Sequence, residues 1–302
     1  MAVIQDFRDL IGHTPLLKLN RMGFPDYVNV YAKLELWNPG GSVKDRMGLS
    51  MLHDAERAGR LKPGGTIVEP TAGNAGIGIA LAALGRGYRV IFVVPEKFSA
   101  EKQAIMRAYG AELVHTPSAD GMEGAIERTK ELLASIDGAV TLGQFDNPAN
   151  PQAHHDTTGP EIVADLNGQV DYFVAGAGSG GTFAGVMRHL REAVPGVTGV
   201  LADPYGSTMG GGEPGCYAIE GIGNTFLPAT MDLSLVDSVV KVSDAAAWAE
   251  VRLLARQEGV LAGSSSGAAL AAARALAEEA RGNIVVVLPD RGDRYFSKGL
   301  LG

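Results

Sequence analysis

Short apolar runs and helix-period stretches alternate along the chain. NVYAKLE (29 to 35), TIVE (66 to 69), RVIFVVP (89 to 95) and AELVHT (111 to 116) read as strands, with helices predicted over 42 to 58, from 74, over 99 to 109 and from about 121. A second series holds DYFVAG (171 to 176), a helix from 182, VTGVLAD (197 to 203), SVVKV (238 to 242), a helix over 244 to 258, a helix from 266 and NIVVVLP (283 to 289). Strands that are apolar almost throughout, each followed by a helix, make parallel sheets covered on both faces. The expected fold is therefore α/β in two halves. Asn147-Pro148-Ala149-Asn150-Pro151 punctuates the two series, which places the division at 1 to 145 and 146 to 302. The helix over 42 to 58 carries Ser42 as its N-cap, Asp45 three residues on and Gly59 as its stop. The Gly/Pro-rich stretch 204 to 224 is too long for an ordinary connection and reads as a functional or mobile loop.

Composition narrows the class. The 302 residues include 41 Gly, about twice the usual ~7% share, without a collagen period, so the excess belongs in specific turns. A net charge of −8, with no local Lys/Arg run, disfavours nucleic acid and anionic membranes as partners. The single cysteine, Cys216, excludes an intrachain disulfide and a Cys-based zinc or iron–sulfur site. The strongest apolar stretch, Gly76 to Gly85, falls far short of the ~18 residues of a membrane span, and a cytoplasmic location is expected. His154-His155 points to two faces and fits no metal-ligand spacing, so no metal site is expected.

Four Gly- or Ser-rich loops carry candidate chemistry. Gly176-Ala177-Gly178-Ser179-Gly180-Gly181-Thr182 follows a strand and opens a helix, which gathers backbone N–H groups into a phosphate cradle. It also fits G-x-G-x-x-G, and Asp203 ends the next strand where a dinucleotide fold keeps its ribose-binding acid, so an NAD-dependent dehydrogenase is a competing reading. Gly263-Ser264-Ser265-Ser266-Gly267 satisfies the nucleophile-elbow pattern, but the last histidine is His189 and none follows the serine as a hydrolase triad requires. Thr71-Ala72-Gly73-Asn74-Ala75-Gly76 opens a helix with free amides suited to a carboxylate or ring oxygen. Asn38-Pro39-Gly40-Gly41-Ser42-Val43-Lys44 puts a cation at the positive end of a helix, where burial would depress its pKa as an amine nucleophile needs. The plainer alternatives are tight turns, a capping serine cluster and a solvated Lys44 paired with Asp45.

Taken in order, PGGSVKDR, EPTAGNAGIG, QFDNPANP, GAGSGGT and GSSSGAA resemble the β-family (fold type II) of pyridoxal-phosphate enzymes, that of cysteine synthase and cystathionine β-synthase. The likeness runs from about His13 to PDRGDRYFS near the C-terminus, and it favours pyridoxal 5′-phosphate over NAD. It implies two three-layer αβα domains with mostly parallel sheets, the tryptophan synthase β-like fold, with the cofactor in the cleft between them and about the first 40 residues packing on the other domain. By resemblance Lys44 forms the Schiff base and acts as the catalytic base, and Asn74 bonds the ring oxygen. Gly178, Ser179, Gly180, Gly181 and Thr182 would hold the phosphate, and Ser265, or its neighbour Ser266, would face the ring nitrogen. Thr71, Ala72, Gly73, Asn74, Ala75 and Gln144 would bind the substrate carboxylate. The implied reaction is β-replacement on O-acetyl-L-serine by a thiol. Ala72 and VVPEKFSAEKQ look more like the bacterial O-acetylserine-dependent cystathionine β-synthases, which points to homocysteine as acceptor with sulfide as second. A homodimer is implied by the same likeness.

One departure from the family is testable. Ala75 stands where the family usually has Thr, removing a hydroxyl worth about 0.5–1.5 kcal/mol near the expected carboxylate site. Ala75→Thr is expected to lower the apparent KM for O-acetylserine in steady-state assays; an unchanged or raised KM would count against this placement of the loop.

Overall fold

The computed structural model describes residues 3–71, 73–96 and 98–301. In chain order the first part holds β1 (Leu16–Lys18), β2 (Val28–Leu34), α1 (Lys44–Arg57), β3 (Thr66–Pro70), α2 (Asn74–Ala83), β4 (Arg89–Pro95), α3 (Ala100–Ala108), β5 (Glu112–Thr116) and α4 (Gly121–Ser135). There follow α5 (Ala149–Ala153), a π turn (His154–Thr158), α6 (Gly159–Asp165), β6 (Tyr172–Gly176), α7 (Gly181–Ala193), β7 (Thr198–Pro204), β8 (Ser238–Val242), α8 (Asp244–Glu258), α9 (Ser264–Leu276) and β9 (Gly282–Leu288).

The strands form two sheets. One has the order β1-β2-β9-β6-β7-β8, parallel except for the β1–β2 pair; the other is β3-β4-β5, all parallel. Because side chains alternate across a strand, each sheet feeds two cores. Ile284, Val286 and Leu288 of β9 pack with α8 and α9, whereas Val285 and Val287 pack with α6 and α7. In the smaller sheet Ile67, Phe92 and Val94 face α1 and α2, and Val68, Ile91 and Val93 face α4. Each sheet is thus the middle of an αβα sandwich.

The structure departs from the linear reading in several places. The run read as the first strand, β2, lies in the large sheet between β1 and β9, 254 residues away in sequence at the Asn29↔Asn283 pair. Strand β1 and the helical stretch 149 to 165 gave too short a signal to be read. At α1 the reciprocal cap fails: Ser42 Oγ accepts weakly from the Lys44 amide at 3.3 Å, and Asp45 turns instead to the Gly40 amide at 2.6 Å. Gly59 does follow the helix, in the left-handed region at φ 68°. Asp203, the acid an NAD reading requires, accepts from Lys241 Nζ at 2.7 Å and from the Gly210 amide, so it ties down the long loop after β7.

One contact packs the smaller sandwich and another joins it to the larger. Helices α1 and α2 cross at Gly48 and Gly78, where a Cβ on Gly78 would overlap the Lys44 carbonyl and one on Gly48 the Gly78 backbone. A buried ionic lattice joins α1 to the large sheet and α6. Arg46 reaches Glu35 at 2.8 Å and Glu161 at 2.7 Å, and Lys33 reaches Glu161 at 2.8 Å. Burial would raise the Glu35 carboxyl, but Arg46 beside it holds it below its ordinary value; the same balance takes Glu161 down to about 2. Breaking such a pair from one side leaves a buried charge alone.

Gly78→Ala gives a direct test of the helix crossing. Helix propensity alone favours alanine by up to ~1 kcal/mol, whereas overpacking costs about 1–3 kcal/mol. A lowered unfolding midpoint is expected in thermal or denaturant melts, and a raised one would show that the two backbones are not in contact there.

Candidate active site

The candidate residues meet where β9 ends. Beyond Leu288, Pro289 O accepts from the Val43 amide at 2.8 Å and Asp290 O from the Gly263 amide at 3.0 Å. Ser42 and Asp290 form an antiparallel bridge, as do Ala262 and Arg291. The starts of α1 and α9 are therefore stitched to one two-residue stretch. The start of α2 is added by side chains: Asn74 Nδ2 donates to Asp290 Oδ2 at 2.7 Å, and Asn74 Oδ1 accepts from Arg294 Nη1 at 2.5 Å. The loops after β3, β6 and β9 all leave the carboxyl ends of parallel strands, where open α/β sheets keep their binding crevices.

Lys44 faces the glycine loop across the junction of the two sandwiches. Its Nζ lies 3.3 Å from Ser179 Oγ, and the plainer expectation of a solvated lysine paired with Asp45 fails. Desolvation lowers the ammonium to about 8, so far more of the amine is neutral near neutral pH than for a solvated lysine. Asp45 is pushed up to about 7, chiefly by burial, so its charge beside Lys44 is partly quenched.

Within the loop, none of the amides of Gly178, Ser179, Gly180, Gly181 and Thr182 donates to an acceptor among the described residues. Gly180 takes the left-handed conformation at φ 83°, and a Cβ there would strike Met231. A Cβ on Gly181 would overlap Asn150, and one on Gly178 the Gly221 carbonyl. Only glycine fits a backbone held this closely. Asn224 Nδ2 donates to Gly178 O at 2.5 Å, Thr230 Oγ1 donates to Ser179 O, and Asn150 Nδ2 donates to Ser179 Oγ at 2.9 Å. Thr182 Oγ1 is 3.2 Å from Nε2 of the buried His154, whose Nδ1 is 2.9 Å from Thr158 Oγ1. Burial, helped by the charges of Arg46 and Lys44, takes the His154 imidazole down to about 3, so it is neutral.

The expected carboxylate loop lies on the smaller sandwich. Thr71 is buried, with its amide on Val93 O at 3.1 Å, and Gly73 N donates to Thr71 Oγ1 at 3.4 Å. Ala72 lies outside the described residues. A Cβ added to Gly73 meets open space, and the amides of Asn74 and Ala75 have no acceptor among the described residues. Ala75 itself packs into the apolar cluster beneath α2. Gln144 is half-buried, and its carbonyl accepts from Asn150 Nδ2 at 2.7 Å. Glu69, just before the loop, accepts from Thr141 Oγ1 at 2.8 Å and from the Leu142 and Gly143 amides, fixing the approach to Gln144. Ser264, Ser265 and Ser266 are all buried; Ser264 Oγ accepts from the Glu220 amide at 2.9 Å.

These residues fit the pyridoxal phosphate that the sequence resemblance implies. Five free amides at a helix N-terminus suit a dianionic phosphate, and a lowered-pKa amine stands beside them. Among the described residues Ser266 Oγ, Asp290 Oδ1 and Asn150 Oδ1 are buried without a partner, an arrangement that is costly unless a ligand completes it. Sequence reading missed Asn150, His154, Asn224, Thr230, Asp290 and Arg294 as supports. Asn150, Asp290 and Arg294 stood inside quoted motifs, but the others lie in stretches whose partners come from distant segments.

Comparison with known proteins identifies the family. Residues 7–290 match the model of the family described as pyridoxal-phosphate dependent enzyme. The chain is 51% identical over 300 residues to an O-acetylserine dependent cystathionine beta-synthase of Bacillus subtilis, covering 99% of this chain and 98% of that one. It is 45% identical over 304 residues to a cysteine synthase of Helicobacter pylori, covering 99% of both. Among solved structures, an O-acetylserine dependent cystathionine beta-synthase from Helicobacter pylori superposes with a TM-score of 0.94 at 45% identity, over 99% of each chain.

The lowered pKa of Lys44 is measurable. Trapping of the Lys44 amine in apoprotein by an aldehyde and borohydride, followed by peptide mapping, is expected to rise with pH through about 8 and level off above it. A rise delayed to the ordinary lysine range near 10.5 would mean that Lys44 is not desolvated.

Proposed function

The chain belongs to the pyridoxal-phosphate dependent enzymes, and on that footing we propose that it catalyses β-replacement, exchanging the acetoxy group of O-acetyl-L-serine for a thiol, with homocysteine as the preferred acceptor and sulfide as the second. The observation that carries this reading is Lys44 Nζ, desolvated and 3.3 Å from Ser179 Oγ on a loop of free amides. Pyridoxal phosphate, when bound, supplies an electron sink that acidifies the Cα–H of an amino acid and eases loss of its β-substituent.

The chain's own residues do the rest. The amides of Gly178, Ser179, Gly180, Gly181 and Thr182, at the positive end of α7, hold the phosphate, with the hydroxyls of Ser179 and Thr182 beside them. Asn74 offers the ring oxygen the N–H that Asp290 does not use, and the Arg294 and Asp290 contacts fix its orientation. Ser265 supplies a neutral hydroxyl to the ring nitrogen, a weaker partner than a carboxylate, which keeps the sink modest and favours β-elimination over transamination. The unpartnered Ser266 hydroxyl is the second candidate for that role, and Ser→Ala at each position separates them. The unengaged amides of the Thr71 to Ala75 loop, those of Asn74 and Ala75 among them, and the Gln144 side chain hold the substrate carboxylate. Lys44 Nζ, its ammonium weakened by desolvation to about 8, takes the Cα proton and returns it after sulfur has replaced oxygen at Cβ. Acetate leaves with the bonding pair of the Cβ–O bond, and the thiolate supplies the pair of the new Cβ–S bond.

The assignment of homocysteine is supported by the 51% identity to a chain named for cystathionine synthesis and by Ala72 in place of the Ser of the usual cysteine synthases. The cysteine synthase of Helicobacter pylori at 45% identity keeps sulfide as the second acceptor.

The purified protein is expected to absorb in the visible with bound cofactor, to lose that band in Lys44→Ala, and to change spectrum on adding O-acetylserine. In parallel assays homocysteine is expected to give the larger kcat/KM. A ~10-fold advantage for sulfide, about 1.4 kcal/mol of transition-state binding, would reverse the acceptor assignment. A colourless protein that binds NAD would overturn the whole reading.

A further inference from the structure

The π turn that backs the glycine loop and the helix that follows that loop together carry a cluster of potential metal-binding side chains. His154 and His155 are adjacent in the π turn and point opposite ways: His154 inward to Thr182, His155 outward. Helix α7 presents His189 and Glu192 one turn apart on the same side. The ring centroids of His155 and His189 lie 5.3 Å apart with their planes at 78°, and His155 Nε2 is 3.0 Å from Glu192 Oε2. One ligand atom from each of His155, His189 and Glu192 lies within 4.8 Å of the other two.

We propose that His155, His189 and Glu192 form a binding site for one borderline divalent transition-metal ion of the Zn2+ type. Around such an ion, bonds of about 2.0–2.2 Å put tetrahedral donors about 3.4 Å apart, so modest side-chain rotation closes the set. Two imidazoles and a carboxylate suit zinc and its neighbours rather than calcium or magnesium, whose ligands are oxygens. The histidines are half-buried and Glu192 is exposed, which leaves a fourth position open to water. The support behind the ligands is also present: Asp156 Oδ1 accepts from His155 Nδ1 at 2.8 Å and from Gln152 Nε2 at 2.6 Å, orienting the ring through its other nitrogen as a carboxylate–histidine–metal arrangement requires. No single-element motif announces this site, because its ligands come from a π turn and a helix more than thirty residues apart.

The ion would pin the π turn to α7. Thr182 belongs to the first turn of α7 and touches His154 of the π turn, so the bound ion braces the wall of the glycine loop from outside.

The test uses the holoenzyme dialysed against Zn2+ in buffer free of thiols and chelators, with bound metal counted by elemental analysis and affinity measured by chelator competition. One Zn2+ per chain is expected, with a rise in the thermal midpoint that saturates with the metal. Glu192→Gln, on the exposed rim, is expected to keep the fold while weakening binding and removing the midpoint shift; His189→Ala should abolish both. Asp156→Asn should weaken binding by about 10-fold. Equal Zn2+ content and affinity in the wild type, His189→Ala and Glu192→Gln would overturn the site, as would the absence of saturable binding in the wild type.

Discussion

Three of the four helix starts at the candidate site hang on the two residues that follow the last strand. Pro289 and Asp290 leave the sheet as backbone, and their carbonyls take the Val43 and Gly263 amides, one from the segment opening α1 and one from that opening α9. Asp290 then reaches Asn74 with its side chain and accepts from Tyr295 Oη at 2.6 Å. Three helix starts that are far apart in sequence are thereby held at one strand end. Backbone hydrogen bonds of this kind have little freedom, because the buried groups have no water to turn to. The precision of the site is inherited from the sheet rather than built by the loops.

Close approach by glycine completes the arrangement. The contact of Gly48 with Gly78 lets α1 and α2 touch at their backbones, which sets Lys44 at the head of one helix beside Asn74 at the head of the other. On the opposite side Gly178, Gly180 and Gly181 let Gly221, Met231 and Asn150 close against the loop without a Cβ in the way. Asn150 then ties the Gln144 carbonyl to the Ser179 hydroxyl, so the regions expected to hold carboxylate and phosphate share a single buried amide. A shift of one is felt by the other.

The charges divide into two kinds. Arg46, Glu35, Glu161 and Lys33 satisfy one another in the interior and hold α1 against the large sheet. Lys44, two residues from Arg46, has no carboxylate partner among the described residues and is desolvated, so its ammonium is weakened while its neighbour's guanidinium is secured. One helix turn thus carries a fixed structural cation and a titratable one, and their different surroundings set the difference.

The amino-acid sequence by itself determined the parallel α/β class, most strands and helices, and the loops that hold Lys44, Asn74, the glycine-rich stretch 178 to 182 and the serine cluster 264 to 266. Those features are local: apolar periodicity, glycine at positions needing special backbone, and order along the chain. Only the tertiary structure decided that β2 leaves its sequence neighbours for β9, that Asp203 pairs with Lys241 instead of a ribose, and that Asp45 caps Gly40 rather than Lys44. The same holds for His154 behind Thr182 and for His155 beside His189 and Glu192. Each depends on which distant segment arrives at a given strand end or helix face. That is settled by burial of whole elements against one another, a free energy summed over many residues that no short stretch of sequence displays.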